Sequence, residues 1–184
     1  MKNTFVIAKN TFKQVVRDKI LYGILVFALL FMGSIAILSS MSLGEDMFII
    51  KSFGLAGIYL FGLIIALFLG ASIVYDEMER RTSYFLLSKP VTRTNIVWGK
   101  FLGLLGAITA TTFLMTLAYL FIIFLNGSSP DPMIFLAIFL QILELGILIA
   151  VLILFSAFTT PLASIIYTIL ILYIGHLLSL IKEY

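Results

Sequence analysis

Polar and apolar positions along this chain alternate in long blocks, not residue by residue. Residues 1–19 are mixed: on a helical wheel Phe5, Ala8, Phe12, Val15 and Val16 share one arc, and Asn10, Lys13, Gln14, Arg17 and Asp18 share the other. Lys9 sits at the boundary, and Val6 and Ile7 interrupt the pattern. The pattern predicts an amphipathic helix with a basic polar face, suited to the headgroup region. An ordinary positive flank before a span has the same composition. Apolar runs follow at 20–39, 53–74, 101–124, 133–155 and 162–180. Each is close to the roughly 20 residues that cross a bilayer. The expectation is an all-α polytopic membrane protein with about five transmembrane helices. It forms a single domain over 1–184, with no internal repeat, soluble domain or linker.

The one long polar interruption is Tyr75 to Lys100, which carries Asp76, Glu77, Glu79, Arg80, Arg81, Lys89, Arg93 and Lys100. Inside it, the apolar run Tyr84-Phe85-Leu86-Leu87 stops at Ser88-Lys89-Pro90. Proline cannot continue a helix and disfavours the α region for the residue before it. Thr92 then offers an oxygen to cap the helix that begins the next apolar run. The segment therefore reads as a helix leaving the membrane, a short helix outside it, a break, and a helix returning. Tyr84 and Leu87, three apart, share a face flanked by Phe85 and Ser88. A few apolar anchors with a polar rim suit docking in a partner's groove; a helix resting on lipid headgroups needs the same pattern.

The other breaks are shorter. Gly44, Glu45, Asp46 and Lys51 lie between the first two runs, Asn126 to Pro132 form a turn cluster without a basic residue, and Ser156 to Pro161 make a tight break. Gly54, Gly57, Gly62 and Gly70 in the second run, and Gly99, Gly103, Gly106 and Ala110 in the third, would let another helix approach closely. Trp98 and Lys100 precede the third run as an interfacial aromatic and a snorkelling cation.

At 184 residues, 62% hydrophobic and a mean hydropathy of +1.19, the composition lies outside the soluble globular range. No secretory signal is evident, since a polar stretch precedes the first apolar run and no small-residue cleavage site follows it. Cysteine is absent, which excludes disulfides and thiolate metal sites. The net charge of +3 matters through its distribution. With the amino terminus inside, Lys2, Lys9, Lys13, Arg17, Lys19, Arg80, Arg81, Lys89, Arg93 and Lys100 fall on one side, and only Lys51 and Lys182 on the other. By the positive-inside rule the charged loop is cytoplasmic.

Candidate chemistry is sparse. Glu144 is the only carboxylate well inside an apolar run, and an intramembrane ionisable residue faces protein or water. Gln141, three residues earlier, shares its face and is placed to hydrogen-bond the carboxyl. No basic residue is expected at matching depth, which favours a packing role for Glu144, protonated or paired with another helix. His176 stands alone, and a zinc site wants three protein ligands; an interfacial histidine is the simpler reading. Met41 and Met47 read as lipid contacts. Gly99-Lys100 lacks the upstream glycine of a phosphate loop, and no Ser/His/Asp set or zinc-helix motif is present. The chain reads as a non-enzyme, and any ATP hydrolysis belongs to another polypeptide.

Glu77, Arg81-Thr82, Leu86-Leu87-Ser88-Lys89-Pro90-Val91-Thr92-Arg93 and Gly99-Lys100, in that order, resemble the cytoplasmic loop of type-2 ABC-transporter permeases. The chain is most similar to the branch described as multicopper-enzyme-maturation permeases. The resemblance implies an interfacial elbow helix before the first span and a coupling helix in the loop. Arg81, Thr82, Tyr84, Phe85, Leu87, Ser88 and Lys89 would bind a separate cytoplasmic ATPase subunit, which supplies ATP and Mg; the chain has no cofactor of its own. It further implies a second permease subunit, identical or not, a multi-pass place in a prokaryotic plasma membrane, and export. No nucleic acid is involved. The copper association finds no ligands in this sequence. The family's sixth span has no counterpart before Tyr184. The alternatives are a secondary transporter or channel-like protein, which would show polar lining residues in several spans where only Gln141 and Glu144 stand out, and a non-transporting assembly subunit.

The cysteine-free background makes the orientation directly testable. Ser128→Cys should react with an impermeant thiol reagent added outside intact cells, and Thr94→Cys only after lysis. The reverse labelling pattern would overturn the cytoplasmic placement of the charged loop.

Overall fold

The computed structural model describes residues 2–40, 46–79, 93–126 and 131–182. The described residues form six helices: α1 (Lys2–Arg17), α2 (Lys19–Ser40), α3 (Asp46–Glu79), α4 (Arg93–Leu125), α5 (Pro132–Ser156) and α6 (Pro161–Lys182). Among the described residues there is no strand. The chain is a helical membrane protein. Segments Ile50–Ser72, Thr94–Leu125 and Pro132–Ser156 are long and apolar enough to cross a bilayer, and Lys19–Ile35 and Pro161–Leu177 are shorter apolar helical stretches. Only helices satisfy every backbone group within a single segment, which is what hydrocarbon demands.

The helices run past the apolar blocks. α3 begins at Asp46 and ends at Glu79, and α4 begins at Arg93. No proline interrupts either segment, and Glu, Lys and Arg are compatible with helix, so hydropathy changes before the helix does. The polar interruption is thereby reduced to 80–92, which lies outside the described residues together with Arg81, Thr82, Tyr84, Phe85, Leu87, Ser88 and Lys89.

Local chemistry explains the helix ends. At the α1–α2 junction the Asp18 carboxylate accepts the Ile20 backbone N–H at 2.9 Å, capping α2. At the end of α4 the Asn126 side chain donates to the Ile122 carbonyl at 2.9 Å, satisfying a terminal acceptor. α5 opens with Pro132 at its first helical position. Asp131 makes no side-chain cap there and instead pairs with Lys51 near the start of α3.

Contacts along α3 give the topology. Leu55, Tyr59 and Gly70 meet Gln141, Glu144 and Leu152 of α5 in the same order, so α3 and α5 run parallel. Gly54, Gly62 and Gly70 meet Tyr119, Thr112 and Leu104 of α4 in reverse order, so α4 is antiparallel. Phe61 of α3 packs edge-on against Phe31 and Phe27 of α2, with ring centroids 5.5 and 6.0 Å apart. The core around α3 contains Ile58, Ile65, Leu69, Leu104, Ile108, Met115, Leu145 and Ile149. α5 and α6 form a tight hairpin held by Ser156 Oγ donating to Ser164 Oγ at 3.1 Å and by Phe155 against Tyr167.

The glycine stripe of α4 receives α1. A Cβ at Gly99 would lie 2.6 Å from the Ile7 side chain, and one at Gly103 would lie 2.6 Å from Thr11 Cβ and 2.7 Å from the Ala8 carbonyl. Phe12 follows at Gly106, so α1 advances alongside α4 in step. Ala8, Phe12 and Val15 of the expected apolar arc lie at the contact, and the buried side extends from them to Ile7 and Thr11 and leaves out Phe5. Thr11 and Val15 are 3% and 1% exposed, Ile7 belongs to the contact, and Phe5 is 73% exposed. The closest approach falls at Ala8 and Thr11, where α1 is small. Lys100, expected to snorkel, is instead buried at 7% exposure, while Trp98 remains exposed against the edge of Phe101.

Gly103→Ala should destabilise the protein by about 1–3 kcal/mol, because the added methyl must displace a backbone carbonyl. Gly33→Ala, where a Cβ meets nothing within 4 Å, should be neutral or slightly stabilising. Melting of the two variants in matched detergent checks this, and equal melting points would contradict the α1–α4 packing.

Candidate functional site

Two regions carry the candidate residues. The first is the segment joining α3 to α4. Its own residues lie outside the described set, but the frame that presents it is clear. α3 and α4 are antiparallel neighbours, so Glu79 and Arg93 end and begin at the same end of the bundle. α1 runs along the first part of α4 beside that end, with Lys9, Lys13, Gln14 and Arg17 exposed.

The second region is the middle of α5. Glu144 stands midway between Pro132 and Ser156, roughly 18 Å from either end at 1.5 Å per residue. Its Oε1 accepts a hydrogen bond from the Tyr59 hydroxyl of α3 at 2.6 Å. Gln141 does not bond Glu144 as its spacing suggests. One turn away on the same α3 face, its Nε2 donates to the Leu55 carbonyl at 3.2 Å. A helical carbonyl has a second lone pair, so this bond adds to the α3 ladder without breaking it.

Other buried hydroxyls are satisfied more simply. Thr111, Thr116 and Thr168 donate to carbonyls three or four residues back in their own helices. Thr112 Oγ1, Tyr119 Oη and Gln141 Oε1 are buried without a hydrogen-bond partner among the described residues. Together with Glu144 and Tyr59 they run as a sparse polar seam between α3, α4 and α5.

On its other side Glu144 borders a lateral cleft between α5 and α6 of about 360 Å³. Ile147, Leu148, Ile171, Leu172, Gly175 and His176 line the rest of it. His176, which the sequence places alone at an interface, therefore shares a cleft with the one intramembrane carboxylate. Tyr59 is the residue that the sequence reading misses. Its signal was its position, since an interfacial tyrosine belongs at the end of an apolar run and Tyr59 lies within one.

With this geometry in view, the family model described as ABC-2 family transporter protein matches residues 40–181, from the last residue of α2 through α6. The chain belongs to the ABC-2 transporter family. Comparison with curated protein sequences returned no match. As an ABC-2 permease subunit, the chain is the transport component of a multi-pass membrane assembly, in a family that typically works with an ATPase partner. The match covers both candidate regions and leaves α1 and nearly all of α2 outside it.

Removing the phenol tests the polar tie within this permease. Tyr59→Phe, Glu144→Gln and the double variant form a cycle whose coupling energy should be about 1 kcal/mol, in the range of interhelical hydrogen bonds in membranes. Unfolding in mixed micelles measures it. Strictly additive losses would mean that the bond contributes nothing.

Proposed function

We propose that this permease subunit is half of an ATP-driven exporter of the multicopper-maturation-like branch, with its amino terminus in the cytoplasm and α2 to α6 as its spans. It pairs with a second permease subunit and with cytoplasmic ATPase subunits that bind ATP and Mg. The observation that carries the reading is the family match across 40–181, which includes the 80–92 segment and its Leu-Leu-Ser-Lys-Pro-Val-Thr-Arg run. In this reading 80–92 holds the coupling helix, with Tyr84 and Leu87 buried in the ATPase and Arg81, Thr82, Phe85, Ser88 and Lys89 around them. Closure of the ATPase subunits on ATP displaces that helix. Because the segment continues directly into α3 and α4, the displacement reaches the centre of the bundle and changes access to a path between the two permease halves.

Tyr84→Ala with Leu87→Ala should leave the protein inserted and remove most ATPase binding, since truncating a buried interface anchor costs about 2 kcal/mol or more. Arg17→Ala should have little effect. Affinity purification of the tagged permease from cells that make its ATPase, followed by ATP hydrolysis rates, reads both. Normal binding and stimulation by the double variant would remove 80–92 from the coupling role.

A further inference from the structure

The cleft between α5 and α6 has the features of a site for one kind of ligand. Its single acidic wall is Glu144, with Oε1 held by Tyr59 at 2.6 Å from the α3 side. The hydroxyl fixes the carboxyl's orientation and leaves Oε2 for a group entering from the cleft. The opposite wall carries His176, and the remainder is branched aliphatic: Ile147, Leu148, Ile171 and Leu172. Gly175 widens it, since a Cβ there would meet nothing within 4 Å. The cleft borders the middle of α5, and a carboxyl there that already accepts from Tyr59 gains further from a cation placed against its second oxygen. The aliphatic walls suit a hydrocarbon or aromatic body.

We propose that this cleft binds the ammonium head of an amphiphilic amine, with Glu144 taking the charge and the apolar body lying against Ile147, Leu148, Ile171 and Leu172. The ligand reaches the site from within the bilayer, through the lateral opening. The proposal names a ligand class for the transporter and rests on the exporter reading only for the ligand's fate. The binding itself needs neither ATPase nor transport.

Direct binding tests it. The full chain in phosphatidylcholine nanodiscs is titrated with dansylcadaverine, a fluorescent primary amine, and with its N-acetyl derivative, which keeps the body and lacks the charge. Saturable binding of the amine, at least about tenfold tighter than the neutral probe, is expected from loss of a desolvated charge partner. Glu144→Gln should weaken the amine by a similar factor and narrow its advantage over the neutral probe. Gly175→Leu, which fills the cleft and leaves the carboxyl intact, should weaken both probes. No saturable binding, equal binding of the two probes, or undiminished binding to Gly175→Leu would each overturn the proposal. If Glu144→Gln is not recovered folded, the probe pair and the glycine variant decide. Repeating the titration with phosphatidylethanolamine in the discs separates the sources. Competition identifies a resident lipid amine, its absence a free amine, and the ammonium chemistry stands in either case. Loss of ATPase pairing with amine binding intact would count against the exporter reading alone. ATPase stimulation without amine binding would count against this site alone.

Discussion

Helix α3 is approached closely from three directions, and the arrangement of the bundle depends on that. In a bilayer the lipid tails are as apolar as leucine, so helices gain little from burying apolar surface against each other and associate through close van der Waals contact. Gly54 gives way to the ring of Tyr119 on α4, Gly57 to Phe31 on α2, and Gly62 and Gly70 to Leu145 and Leu152 on α5. Each large side chain enters a position where α3 has no side chain of its own. Substituting any of these glycines would push a different neighbour outward. The central helix is thus defined less by what it contributes than by what it leaves open.

The same principle accounts for α1. Ala8 and Thr11 present small side chains to the glycine stripe of α4, with Ile7 and Phe12 on either side of them. Such a stripe suits small residues, because backbone-to-backbone approach maximises the number of atoms in contact. Phe5 and Val6 are left at the surface. The arc of hydrophobicity and the arc of burial therefore overlap at Ala8, Phe12 and Val15 and part at Phe5.

Much of the helix order was legible from hydropathy, because a bilayer forces long apolar runs to be helices. The tendency of glycines to mark close approach was legible too. What could not be read was which neighbour each glycine admits, since that depends on pairing between helices far apart in sequence. Tyr59 and Glu144 are 85 residues apart, and nothing in local periodicity joins them. His176 was likewise legible as a residue and not as a wall of the Glu144 cleft, because the α5–α6 hairpin sets that register. Gln141 misled for a related reason: two residues one turn apart share a face, but the second lone pair of a backbone carbonyl on α3 is a better-placed acceptor than a carboxyl on the same helix.

The parallel pair α3 and α5 is joined at more than one level. Lys51 pairs with Asp131 where both helices begin; Gln141 and Glu144 reach Leu55 and Tyr59 near the middle; Leu152 seats against Gly70 further along. A pair fastened at one level pivots about it, as scissors do. Fastened at several, it resists splaying and behaves as a strut. A push delivered at one end of such a strut arrives at the other as translation, not as a change of angle. Any opening within this permease therefore falls to the seams that flank the strut, against α2, α4 and α6, and not to the seam inside it.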